Sequence, residues 1–265
     1  MNHSATLAAL KALPPSVLVT IFVMPVFFIG VFFVFIVRCA IWGMPRTPRM
    51  DKLAATKLVP RFILEWGYWW LQIPVRGLVA CGVGPDAVTF GSLAFACAAS
   101  ASFALGHFGA GGWLLFASMA SDALDGMVAR ATGVSSDRGE FIDAVVDRYA
   151  DCVIYLGLMY FYRHAPVPLA LAAAALIGSS VMGYARAKGE AMGIDPNVGW
   201  MARHERGIVL GLGTTLAPLA SLWLEPGVTQ PRYYTTWVAL GLIGFFTNIT
   251  SIWRTGFVLA RMKKK

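Results

Sequence analysis

The chain has 265 residues, of which 57% are hydrophobic and 14% are charged, and its formal net charge is +8. This composition is too apolar for an ordinary soluble globular domain, and it predicts an integral membrane protein. Lys and Arg are spread over the predicted loops instead of forming one basic stripe, so the positive charge is interpreted as a membrane-topology signal, and no nucleic-acid partner is expected.

The N-terminal part is predicted to hold a membrane anchor and then a basic segment. Residues 13–42 form an apolar run long enough for a spanning helix, which requires about 20 residues, and no cleavage pattern follows it. We therefore predict a transmembrane anchor over residues 1–43. Residues 44–81 are predicted as a basic cytoplasmic loop followed by an amphipathic interfacial helix, because residues 62–79 alternate aromatic with polar side chains.

The remaining residues, 82–265, are predicted to form an all-α membrane domain with six core helices. The apolar runs place these helices at about 86–105, 113–130, 139–161, 169–190, 207–224 and 235–259. Most basic residues fall in alternate loops, so the positive-inside rule predicts seven spans in total, with the N-terminus outside and the C-terminus inside.

Four aspartates interrupt the second and third of these core helices. Asp122 and Asp125 are three residues apart and Asp143 and Asp147 are four apart, so each pair lies on one helix face. The short link between the helices predicts a neighbouring antiparallel pair with all four carboxylates at matching depth. Such residues are costly in a membrane and mark function. Because converging carboxylates repel one another, we expect a hard cation between them, Mg²⁺ or Mn²⁺, with room for two ions.

The same stretch fits the pattern D-x2-D-G-x2-A-R-x8-G-x3-D-x3-D, at Asp122, Asp125, Gly126, Ala129, Arg130, Gly139, Asp143 and Asp147. The chain thereby resembles the CDP-alcohol phosphotransferases. The resemblance implies six transmembrane helices around a dinuclear metal site that opens to the cytoplasm. It also implies transfer of a phosphate-linked group from a CDP-alcohol to a second alcohol, with release of CMP. A homodimer in a bacterial or archaeal cytoplasmic membrane is expected.

On this resemblance the motif residues receive separate roles. Asp122, Asp125 and Asp143 are expected to bind metal, and Asp147 to act as the general base on the acceptor hydroxyl while also touching a metal. Arg130 is expected to clamp a phosphate. CDP-lipid binding is expected from Gly126, Ala129, Arg130 and Gly139, and from Pro85 and Thr89, whose P-D-x-x-T stretch is similar to the family's P-N-x-x-T element. Close helix packing is an equally good explanation for the two glycines.

A second, basic cluster is expected to select the acceptor. Arg186 and Lys188 end the fourth core helix, and Arg203 and Arg206 begin the fifth. The segments Y-A-R-A-K-G-E and R-H-E-R resemble the inositol-phosphate-using branch of the family, the phosphatidylinositol phosphate synthases, which implies a phosphorylated acceptor. Arg138 is a further candidate phosphate ligand or a solvated loop residue. Ordinary positive-inside charge explains such a cluster equally well.

The leading hypothesis is a phosphatidyltransferase that moves a phosphatidyl group from CDP-diacylglycerol to inositol 1-phosphate, in phospholipid biosynthesis. The alternative is the same chemistry with glycerol 3-phosphate or another alcohol as acceptor, and a neutral acceptor would give the basic cluster a smaller role. The alternative from another class is a divalent-cation or proton-coupled transporter. It is disfavoured because the aspartates lie near one surface, beside Arg130, instead of being distributed over several spans.

Overall fold

The computed structural model describes residues 24–44, 61–134, 136–226, 228 and 231–262, and the regular structure of this part of the chain is entirely α-helical. Its helices are α1 (Met24–Trp42), α2 (Arg61–Ala80), α3 (Pro85–Ala104), α4 (Phe108–Thr132), α5 (Asp137–Phe161), α6 (Pro166–Ala191), α7 (Arg203–Thr215), α8 (Ala217–Leu224) and α9 (Tyr234–Met262). The all-α prediction is confirmed for these residues.

Three helices are long and apolar enough to cross a membrane: α3, α6 and α9, with 20, 26 and 29 residues. Helices α7 and α8 together form a fourth candidate span. Within the described residues, α4 and α5 do not meet the same criterion, and both carry the aspartates. In α1, the stretch Ile29–Trp42 is apolar but shorter than a full span. Residues 1–23 and 45–60, which include parts of the predicted anchor and basic loop, lie outside the description.

The predicted fifth core helix, residues 207–224, is two helices instead of one. Helix α7 begins at Arg203 and ends at Thr215, and α8 follows it at an angle of 49°. Pro218 lies in the first turn of α8, where it has no N–H to donate and its ring would clash with the carbonyl of Thr214 in a continuous helix. The prediction of one uninterrupted helix was therefore wrong.

Helix α3 packs against both α4 and α5, which have little backbone contact with each other. Small residues permit this: a Cβ on Gly157 of α5 would overlap the backbone of Ser100 in α3, and the Ser100 hydroxyl donates to the carbonyl of Val153 at 2.7 Å. The prediction that α4 and α5 pack directly against each other was wrong, because their backbones have little contact. The two helices approach each other through the side chains of Asp122, Asp143 and Asp147.

The end of the bundle away from the aspartates is held by an aromatic cluster. The Phe108 ring packs against Tyr233, with the ring centroids 4.2 Å apart, and against Phe161 at 4.8 Å. The buried Glu225 carboxylate accepts from the backbone N–H groups of Arg232 and Tyr233, at 2.5 and 3.0 Å. These contacts join the start of α4, the end of α5 and the start of α9. They therefore fix the relative positions of α4 and α5, the two helices that carry the aspartates.

Helix α2 connects the N-terminal helix to the bundle. The Phe32 ring of α1 packs edge-on against Trp66 of α2, with centroids 5.4 Å apart. On its other side, α2 buries Val75 against Met127 and Val128 of α4. Helix α2 therefore lies beside the stretch of α4 that carries the aspartates, and it forms one wall of a cavity described below.

Candidate active site

Three of the four predicted aspartates meet in one cluster. Asp122 on α4 and Asp143 and Asp147 on α5 each offer a carboxylate oxygen, and these oxygens lie within 4.8 Å of one another. The Oδ1 atom of Asp143 is buried and has no hydrogen-bond partner in the described part of the chain. Three carboxylates this close repel one another, so an all-oxygen set of this kind fits a hard divalent cation.

Asp125 lies beside this cluster and is held by its own hydrogen bonds. Only 6% of the residue is exposed. Its Oδ2 accepts from the Thr89 hydroxyl at 2.7 Å and its Oδ1 accepts from the backbone N–H of Gly126 at 2.5 Å. Thr89 was predicted to bind CDP-lipid, and the structure shows it in direct contact with an aspartate. The contact fixes the orientation of that carboxylate.

A cavity of about 480 Å³ lies where the N-terminal ends of α3 and α5 approach the C-terminal half of α4, and it is here called the donor cavity after the residues predicted to bind CDP-lipid. Its lining includes Asp125, Asp143 and all six residues predicted to bind CDP-lipid, Pro85, Thr89, Gly126, Ala129, Arg130 and Gly139. Helix N-termini carry partial positive charge and unpaired N–H groups, which suit phosphate. The cavity therefore combines such termini, an arginine and carboxylates.

The two motif glycines are not sites of tight helix packing. A Cβ on Gly126 would lie 3.1 Å from Nη1 of Arg130, and one on Gly139 would lie 3.4 Å from the Ser136 hydroxyl of the same turn. Gly126 thus leaves room for the Arg130 guanidinium. Ser136 caps α5 by accepting from the Gly139 N–H at 3.2 Å. Among the described residues, a Cβ on Gly126 would meet only its own helix, and one on Gly139 would meet another helix only at an ordinary contact distance, 3.9 Å from Oδ1 of Asp86.

A second cavity of about 480 Å³ lies among α2, α4, α5 and α7, and it is here called the acceptor-side cavity after the predicted acceptor residues Arg203 and Arg206 in its lining. Its wall on α2 is largely apolar and includes Ile63 and Leu71. Its acidic, basic and histidine lining comes from Asp122, Arg130, Asp151, Arg203, His204 and Arg206. Arg130 lines both cavities. The two spaces therefore adjoin at Arg130 and the aspartate cluster.

Arg203 reaches from α7 into the aspartate cluster. Its Nη1 donates to Oδ2 of Asp122 at 2.6 Å, and its Nη2 lies 2.7 Å from Oδ1 of Asp147. Its Nε is 3.8 Å from Oδ1 of Asp151. Arg203 was predicted only as a ligand of the acceptor phosphate. The structure shows that its guanidinium contacts two of the predicted metal ligands.

Arg206 is 5% exposed, and its Nη2 donates to Oδ2 of Asp151 at 3.2 Å. Asp151 and His204 line the same cavity but were not predicted. Asp151 repeats the four-residue spacing of Asp143 and Asp147, so the periodicity of α5 contained a signal for it. For His204, whose Nε2 is buried without a partner in the described residues, the sequence offered no comparable signal.

The other predicted acceptor-binding residues lie elsewhere. Arg186 donates through Nε to Oε1 of Glu190 at 2.8 Å, and both side chains are about half exposed. Lys188 and Arg138 are exposed. None of these three basic residues lines either cavity. Of the five predicted residues, the structure brings only Arg203 and Arg206 to the aspartates.

Comparison with known proteins identifies relatives with similar sequences. The chain is 31% identical over 153 residues to a phosphatidylinositol phosphate synthase of Cutibacterium acnes, covering 56% of this chain and 74% of that protein. It is 32% identical over 178 residues to an archaetidylinositol phosphate synthase of Methanothermobacter thermautotrophicus, covering 67% and 84%.

The fold is also similar to that of a solved enzyme. The crystal structure of Mycobacterium tuberculosis phosphatidylinositol phosphate synthase with CDP-DAG bound matches with a TM-score of 0.62 and 26% identity, over 71% of this chain and 92% of that one. Another structure of the same enzyme is a complex with manganese and citrate. The family model described as CDP-alcohol phosphatidyltransferase matches residues 83–253, which include α3 to α8, most of α9 and every predicted site residue. The chain therefore belongs to the CDP-alcohol phosphatidyltransferase family.

Proposed function

We propose that this protein transfers the phosphatidyl group of CDP-diacylglycerol to inositol 1-phosphate, forming phosphatidylinositol phosphate and CMP in phospholipid biosynthesis. The observation that carries the proposal is the meeting of two cavities at the aspartates and Arg130, one with phosphate-binding features and the other with Arg203. The names of the relatives support both substrates. The solved enzyme of similar fold is described with CDP-DAG bound.

We propose that two Mg²⁺ or Mn²⁺ ions bind here. Their ligands would be Asp122, Asp125, Asp143 and Asp147. The fit rests on the carboxylate oxygens within 4.8 Å and on the buried, unpartnered Oδ1 of Asp143. The manganese complex of the structural relative supports the metal class. When bound, the ions supply positive charge that stabilises the phosphate oxygens and the leaving CMP.

The chain's own residues are proposed to orient both substrates and to move one proton. Arg130, at the boundary of the cavities, holds a phosphate of the CDP-lipid through its forked donors. Asp147 accepts the proton of the acceptor hydroxyl. The hydroxyl oxygen then forms a bond to the phosphorus that carries diacylglycerol. The bond from this phosphorus to the oxygen of CMP breaks, and CMP leaves with that electron pair.

Arg203 is proposed as the main ligand of the acceptor's own phosphate, because it lines the cavity and contacts two of the predicted metal ligands, Asp122 and Asp147, whereas Arg206 contacts Asp151. Arg206 supports it through the shared partner Asp151. Arg138, Arg186 and Lys188 are proposed to act only at longer range, by attracting anionic substrates to this face.

The membrane arrangement belongs to the same proposal. Helices α3, α4, α5, α6, the bent pair α7–α8 and α9 would be the six core spans of a catalytic domain over residues 82–265. Residues 1–43, including α1, would be the extra anchor, and residues 44–81, including α2, the basic loop and interfacial helix. We propose a homodimer in a bacterial or archaeal cytoplasmic membrane, with the active site facing the cytoplasm. The mixed aromatic and polar surface of α2 supports its interfacial position.

The test is CMP release by the purified protein from CDP-diacylglycerol and Mg²⁺ or Mn²⁺, with inositol 1-phosphate or glycerol 3-phosphate as acceptor. We expect release with inositol 1-phosphate, and a reduction of about 100-fold or more in Asp147→Asn, which removes the proposed base. Release with glycerol 3-phosphate alone would keep the chemistry and reject the proposed acceptor. Metal uptake into proteoliposomes without CMP release would favour the transporter and reject the enzyme.

A further inference from the structure

The segment that delivers Arg203 to the aspartates is held by a residue outside the site, Thr250 of α9. The Thr250 side chain is completely buried. Its hydroxyl oxygen accepts from the backbone N–H of Trp200 at 3.0 Å and donates to the backbone carbonyl of Trp200 at 3.0 Å. One side chain therefore satisfies both backbone groups of a residue that lies three positions before Arg203.

One turn later on α9, Arg254 binds the same segment. It is 8% exposed, its Nε donates to the carbonyl of Val198 at 3.0 Å, and its Nη1 donates to the carbonyl of Met182 in α6 at 3.2 Å. A buried arginine whose donors point at backbone carbonyls is suited to fixing chain position. Arg254 thus ties the segment both to α9 and to α6.

The segment itself has a conformation that it would not adopt without such support. Gly199 has φ +101°, and a Cβ at this position would overlap the methyl group of Thr250. Met201 has φ 63°, in the left-handed region that non-glycine residues rarely occupy. Backbone in these regions persists where the surrounding structure holds it, and it concentrates at functional sites.

The held segment leads directly into α7. The Ala202 N–H donates to Oε2 of Glu205 at 2.9 Å, which closes the first turn of the helix. The Met201 carbonyl accepts from Nη1 of Arg206 at 3.4 Å. Arg203 is the first residue of α7, so the position of Trp200 determines where its guanidinium reaches Asp122 and Asp147.

We propose that Thr250 and Arg254 are positioning residues for acceptor recognition, which hold residues 198–202 so that Arg203 reaches the aspartates and the acceptor-side cavity. The inference rests on the proposed function. It predicts an effect confined to one substrate, because the donor cavity is lined by residues 85–143 of α3, α4, α5 and their connections, and by no residue of the held segment or of α9.

The experiment compares Thr250→Val with Thr247→Val in the full-length protein. Both residues are buried on α9, but within the described residues the Thr247 hydroxyl donates to carbonyls of its own helix. The substrate is whichever phosphorylated alcohol the unmodified protein uses. We expect Thr250→Val to raise the KM for this acceptor about tenfold, the size of the loss of one or two hydrogen bonds. The KM for CDP-diacylglycerol should change less than about twofold, and Thr250→Ser should restore the acceptor KM.

Gly199→Ala tests the contact from the other side, since its added methyl would displace the segment from Thr250 while leaving α9 unchanged in sequence. It should reproduce the selective rise in acceptor KM. Unchanged acceptor KM in both variants, or an equal rise in the KM for both substrates, would overturn the positioning role alone. An unmodified protein that releases no CMP with either acceptor would overturn the proposed function, and this inference with it.

Discussion

Thr89→Val should weaken metal binding although Thr89 is not itself one of the predicted metal ligands. The substitution keeps the shape of the side chain but removes the hydroxyl that donates to Oδ2 of Asp125 at 2.7 Å. Hydrogen bonds to charged groups are worth about 1.5–3 kcal/mol, and Asp125 is a buried residue, so solvent replaces the lost donor poorly. Because about 1.4 kcal/mol corresponds to a factor of ten, we expect Mn²⁺ affinity to fall about 10- to 100-fold.

The assay is calorimetric titration of Mn²⁺ into the purified protein without substrates, with thermal unfolding as the check of folding. The matched control is Ser92→Ala, one turn further along α3. The Ser92 hydroxyl is also buried, but it donates to the carbonyl of Thr89 and not to an aspartate. Thr89→Ser should recover most of the affinity. If folded Thr89→Val binds Mn²⁺ as tightly as the unmodified protein, the orientation of Asp125 by this hydroxyl does not matter for metal binding.

Two further pairs of substitutions test the acceptor site and the helix packing. Arg203→Gln should raise the acceptor KM more than about tenfold, because a charge-assisted contact is lost, whereas Arg186→Gln, whose exposed side chain pairs with Glu190, should change it less than about twofold. Equal effects in steady-state kinetics would contradict this separation. Gly157→Ala should destabilise the protein by about 1–3 kcal/mol, because the added Cβ overlaps the backbone of α3. Gly91→Ala, which meets nothing within 4 Å, should not lower the unfolding temperature.

The fold could be predicted as far as hydrophobic runs determine it. The positions of α3, α6 and α9 follow from apolar length, and the predicted bounds differ from the observed ones by a few residues. Two features were missed because they depend on local chemistry and on neighbours. The break between α7 and α8 follows from Pro218. The apolar run on both sides of this proline is long enough for one span, so it predicted a single helix. The insertion of α3 against both α4 and α5 depends on close contact at Gly157, and one sequence does not tell which small residues face another helix.

The site was predictable where a role follows from residue type and spacing, and less so where it depends on long side chains. The aspartates and the donor-cavity residues are fixed to short helical segments, so their spacing nearly determines their relative positions. Arginine side chains are long, and their direction depends on which carboxylate is available. Arg186 finds Glu190 one turn away on its own helix, whereas Arg203 finds Asp122 and Asp147 on two other helices. Two arginines that received the same predicted role from the sequence therefore lie in different places, one in the site and one on the exposed surface.

The spacing of the aspartates has a direct meaning once the two cavities are known. On α4, Asp122 lines the acceptor-side cavity and Asp125 lines the donor cavity. On α5, Asp143 lines the donor cavity, Asp151 the acceptor-side cavity, and Asp147 is one turn from each. Carboxylates three or four residues apart share a helix face but differ in position along the helix axis by about 4.5–6 Å. The acidic residues of each helix therefore extend from one cavity to the other, and Asp147, the proposed base, lies in the carboxylate cluster between the residues that line the two cavities.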